Sequence, residues 1–95
     1  MQVVQLLPRG LEHILIVEDD KRVRKFTTQC LNKLGYTTTA IDSADRAHEL
    51  LSQKEHGFHA LFCDMLMPGN INGIQLAAWA QETRPDIKIL MTTGF

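Results

Sequence analysis

The sequence has no excess of either charge: ten lysines and arginines stand against eleven aspartates and glutamates, mixed along 95 residues for a net charge of -1. That leaves no electrostatic footprint for nucleic acid or for an anionic membrane. Cysteine is scarce. Cys30 and Cys63 lie far apart, without CxxC or Cys/His metal spacing, so both read as small core residues in a reducing cytosol. No apolar run approaches the ~20 residues of a membrane span. The opening MQVVQLLPRG also lacks the apolar stretch and cleavage site of an export signal. Internal repeats and low-complexity tracts are missing too. What is present, 44% hydrophobic and 22% charged residues, suits one globular domain with its own core. The expectation is a soluble cytoplasmic protein with no nucleic-acid or membrane partner.

After Pro8-Arg9-Gly10 comes HILIV, a short continuous apolar run followed by Glu18, Asp19 and Asp20. This is the pattern of a strand buried on both faces. Val23, Phe26, Cys30, Leu31 and Leu34 then recur at helical spacing, and Gly35 stands where a left-handed residue ends a helix. YTTTAI predicts a second strand. Ser43 can cap a second helix with Ala44, Ala47, Leu50 and Leu51 on its inner stripe, closed by Gly57. FHALFC predicts a third strand. Pro68 and Gly69 open a loop that Asn72 ends as an N-cap, with Gln75 in the capping-box position. A third helix from Gly73 to about Thr83 follows, apolar through Ile74, Leu76, Ala77, Trp79 and Ala80. Pro85-Asp86 then turns into IKILMT, the fourth strand.

Strands alternating with helices imply an α/β fold: a parallel sheet with helices on both faces. The flavodoxin-like order 2-1-3-4-5 is the commonest small arrangement of this kind, here expected as 2-1-3-4 without the fifth strand, and ligands bind where its first and third strands end. Glu18 and Asp19 follow the first strand and Asp64 follows the third, so carboxylates distant in sequence are expected to meet in one pocket. Clustered carboxylates repel and raise one another's pKa unless a cation sits among them. Hard oxygen ligands favour Mg²⁺, and no histidine or cysteine is placed to select zinc. A flavin or nucleotide binder is disfavoured, because VEDDKR offers acids where a Gly-rich phosphate loop would offer amide donors. Asp20 is expected to cap the first helix. His56 and His59 read as solvated or edge residues, His13 and His48 lack partners at ligand spacing, and Trp79 reads as core.

The combination of ILIVEDD, Asp64-x-x-Met67-Pro68-Gly69, NGIQL and the closing ILMTTGF resembles the receiver domains of two-component response regulators, from about residue 13 onward. The resemblance implies that Asp64 is a phosphoacceptor, supplied by the phosphohistidine of a sensor histidine kinase or a phosphotransfer protein. Asp19 and Asp64 would bind Mg²⁺ through their side chains, Leu66 through its backbone carbonyl, and Glu18 directly or through water. Thr93 would hydrogen-bond a phosphoryl oxygen. On this reading the domain assists its own phosphoryl transfer and is not an enzyme. Taken alone, however, an aspartate before Pro-Gly is a turn residue and Thr92 and Thr93 are simply strand formers.

The division expected is an N-terminal extension over residues 1–10 and a receiver over 11–95, truncated after strand four. The family's fifth strand and last two helices, roughly 30 to 40 residues at the size of a βαβ unit, are expected to be missing. With them would go the lysine that ends the fifth strand, a role Lys88 cannot take from the amino end of strand four. Strand four is then expected to be an unpaired edge, inviting self-association. The competing reading is a degenerate receiver that takes no phosphate and serves as a protein-interaction module.

Overall fold

The computed structural model describes residues 12–92. Four strands form one parallel sheet: β1 (His13–Val17), β2 (Thr37–Ile41), β3 (Ala60–Asp64) and β4 (Lys88–Thr92), in the order β2-β1-β3-β4. Helices α1 (Lys21–Lys33), α2 (Ala44–Leu51) and α3 (Gly73–Thr83) connect them. The two central strands are the most apolar, because a strand flanked by partners and covered on both faces meets no water. Ile14 to Val17 and Ala60, Leu61 and Cys63 are all fully buried.

Alternate residues of each central strand serve opposite faces. Leu15, Val17, Leu61 and Cys63 pack with α2 and α3 through Ala44, Ala47, Leu51, Leu76 and Ala80. Ile14, Ile16, Ala60 and Phe62 join Leu31 of α1 and Tyr36 on the other face. The expected 2-1-3-4 sheet with helices on both sides is therefore the observed one, and β4 is an edge among the described residues.

Capping follows the sequence closely. The Asp20 carboxylate accepts from the Arg22 and Val23 amides at 2.9 and 3.2 Å. Ser43 accepts from Arg46 at 3.2 Å, and Asn72 and Gln75 form a reciprocal capping box. Three expectations need correction. Phe26 is 56% exposed; the buried line of α1 runs through Thr27 and Leu31, one helical step away, and a threonine gives no hydropathy signal. Ile74 is likewise 47% exposed, while Leu76, Ala77 and Ala80 carry the inner face of α3. Gly57, at φ +78°, serves the turn before β3 and does not close α2. That helix stops at Leu51, where the Arg84 guanidinium donates to the Leu51 and Ser52 carbonyls at 2.9 and 3.2 Å. Trp79 is half-buried, packed beside the core with its ring 4.3 Å from that of His48.

Candidate functional site

The register that pairs Val17 with Cys63 makes Glu18 and Asp64 neighbours at the carboxyl end of the sheet. The Glu18 amide still donates to Ile41 O at 3.1 Å, so this residue is strand in all but name and its side chain is only 6% exposed. Asp19, one residue on, is exposed. Asp20 turns away to cap α1. Three consecutive acids thus have three different environments, dictated by where β1 ends and α1 begins.

Asp64 is the last residue of β3, opposite Thr92 of β4, and is 8% exposed. Its carboxylate accepts from the Leu66 amide at 3.2 Å. Behind it α3 approaches so closely that a Cβ on Gly73 would lie 1.7 Å from the Asp64 carbonyl oxygen. Only a glycine fits there. The Leu66 side chain points into solvent, 69% exposed.

Carboxylate oxygens of Glu18, Asp19 and Asp64 lie within 4.8 Å of one another. Glu18 bears the cost. Burial first, then its hydrogen bond to Asp64 and the charges of Asp64, Asp19 and Asp20, raise its pKa from 4.5 to about 8. Its Oε2 is buried without a hydrogen-bond partner, which is expensive in a folded protein. Beneath the pocket the Cys63 thiol is pushed up to about 12, by burial and then by Asp64 and Glu18. It contacts the Asp64 carbonyl at 3.2 Å and stays an unreactive thiol.

Glu18, Asp19 and Asp64 converge as their positions at the strand ends imply, while the groups that support them left no mark in the sequence. Arg24 donates from α1 to the Glu18 carbonyl at 2.9 Å, holding the β1–α1 turn; a lone arginine within a basic helix gave no signal for this. Gly73 read as an ordinary first helical residue. Thr93, expected beside the phosphoryl group, lies outside the described residues. An oxygen-only cluster with an orphaned buried carboxylate oxygen suits a hard divalent cation. No helix among the described residues is long and apolar enough to cross a membrane.

A family model for the response regulator receiver domain matches residues 14–95. The receiver protein CpdR of Brucella abortus is 41% identical over 85 residues, covering 90% of this chain and 68% of CpdR. A CheY-like receiver domain from Methanospirillum hungatei is similar with a TM-score of 0.75 and 29% identity, over 90% of this chain and 66% of that one. TrrA of Thermotoga maritima, solved in complex with Mg(2+)-BeF, gives 0.74 and 25% over 84% of this chain and 67% of TrrA. The chain thus spans about two thirds of each of these relatives. It belongs to the response regulator receiver domain family.

Proposed function

We propose that Asp64 accepts a phosphoryl group from the phosphohistidine of a sensor histidine kinase or phosphotransfer protein, making this chain a cytoplasmic, self-assisting receiver in a phosphorelay. The carrying observation is the Glu18–Asp19–Asp64 cluster, in which a buried carboxylate oxygen lacks any partner. Glu18, Asp19 and Asp64 would hold Mg²⁺, with the Leu66 carbonyl as a further ligand; the TrrA complex with Mg(2+)-BeF supports that choice of ion. Bound Mg²⁺ would neutralise and align the phosphoryl oxygens, the main requirement of a loose phosphoryl-transfer transition state.

The protein's own residues do the rest. The Asp64 carboxylate attacks phosphorus in line; the oxygen–phosphorus bond forms as the phosphorus–nitrogen bond breaks, and the departing imidazole nitrogen keeps the electron pair. The Leu66 amide fixes one carboxylate oxygen at 3.2 Å, and α3 packed on the Asp64 backbone removes the freedom to swing away. The raised pKa of Glu18 favours its protonated form in the empty cluster, so ion loading would be pH-dependent. Thr93 remains the proposed donor to a phosphoryl oxygen.

Incubation with acetyl phosphate and Mg²⁺ should give a single acid-stable, base-labile adduct, detected as one added phosphate by mass spectrometry. Asp64→Ala should abolish it. Labelling that survives this substitution would defeat the assignment.

A further inference from the structure

The eight-residue loop between β3 and α3, residues 65–72, carries the Leu66 carbonyl proposed as a ligand. Its ends are held locally. Leu66 donates to the Asp64 carboxylate at 3.2 Å at the start, and Asn72 exchanges hydrogen bonds of 2.9 and 2.8 Å with Gln75 at the finish. Met67 is sunk into the core. Between these points the loop is held polar-to-polar by another helix: the Asp45 carboxylate, in the first turn of α2, accepts from the Asn70 amide at 3.3 Å.

The same carboxylate sits hard against Gly69. A Cβ there would lie 2.9 Å from Asp45 Oδ2, and Gly69 holds φ +121°, a conformation side chains rarely adopt. Asp45 is not spent on capping its own helix, since Ser43 does that through the Arg46 amide. The loop therefore turns at a glycine shaped to admit a carboxylate from α2, twenty-five residues earlier in the chain.

We infer that Asp45 is a positioning residue for the phosphoacceptor site, latching the β3–α3 loop to α2 and so setting where the backbone after Asp64 lies. The inference rests on the proposed function for its kinetic consequence, but the latch itself is a contact that can be observed without phosphate. What the latch needs from residue 45 is a hydrogen-bond acceptor of aspartate length. A charge is not required, and Asn supplies the acceptor while Ala does not.

The test compares wild type, Asp45→Asn and Asp45→Ala in the full chain by three readouts: exchange of the Asn70 amide hydrogen, Mg²⁺ affinity followed by Trp79 fluorescence, and the acetyl phosphate labelling rate. Asp45→Ala is expected to speed Asn70 exchange and to weaken Mg²⁺ binding and labelling by about fivefold, the loss of one hydrogen bond. Asp45→Asn should restore all three to near wild type. Gly69→Ala should lose at least as much as Asp45→Ala, since its methyl meets the Asp45 carboxylate and its φ of +121° strains any side chain. The inference is overturned if Asp45→Ala leaves Asn70 exchange and Mg²⁺ affinity unchanged, or if Asp45→Asn is as impaired as Asp45→Ala, which would make the effect one of helix charge. Should wild type take no phosphate, the functional reading fails, and the latch then stands or falls on Asn70 exchange alone.

Discussion

At the amino ends of β1 and β3 the polar groups are matched to one another: His13 N–H donates to His59 Nδ1 at 3.0 Å, His59 N–H returns to the His13 carbonyl at 2.8 Å, and His13 Nε2 meets Thr39 Oγ1 at 2.7 Å. At the carboxyl ends of the same two strands, Glu18 and Asp64 are pressed together with Asp19 and leave Glu18 Oε2 buried and unpartnered. One end of the sheet is solved as structure, and the other keeps an electrostatic cost. The Glu12 side chain, just ahead of β1, also has a buried unpartnered oxygen, yet no cluster of metal-ligating groups gathers around it among the described residues. An unpaid electrostatic cost shared by several side chains marks a site better than a single unsatisfied atom.

The carboxyl end of the sheet is most sensitive at Gly73. Adding one methyl there drives a Cβ into the Asp64 carbonyl, and overpacking against rigid backbone is expected to cost at least about 3 kcal/mol. Urea denaturation of Gly73→Ala should show this, whereas Gly57→Ala, with open space around its Cβ but φ +78°, should cost about 1 kcal/mol.

Opposite pH dependences follow from the two ends. Glu18 has its pKa raised from 4.5 to about 8, so the folded chain holds a proton that the unfolded chain releases. Metal-free stability therefore declines as pH rises through that interval. Thermal melts of Glu18→Gln should lose this decline. The smallest effect belongs to the amino end. His13 is held below its usual 6.5 by burial and then by His59, so the unfolded chain binds the extra proton and stability falls as pH drops below 6.5. His13→Gln should flatten that acid limb without touching the alkaline one.

Much of this was legible from residue patterns. HILIV is β1 residue for residue, Asn72 and Gln75 cap α3 as their spacing implies, and the carboxylates converge because strand order alone brings two strand ends together. The features that stayed hidden are those where a side chain reaches a backbone group across the fold. Arg24 on the Glu18 carbonyl, Arg84 on the end of α2 and Asp45 on the Asn70 amide leave no periodicity. Phe26 misled because helical period is visible to hydropathy, while its phase depends on a buried Thr27.

The claim that the carboxyl end of the sheet is built for a divalent ion beside Asp64 is tested most directly by isothermal calorimetry of Mg²⁺ binding at pH 7 in buffers of different ionisation enthalpy. Binding should occur with release of protons from the carboxylate cluster, where the pKa of Glu18 is pushed up, and Glu18→Gln should reduce that release. Absence of Mg²⁺ binding, or binding that releases no proton in the wild-type chain, would contradict the account.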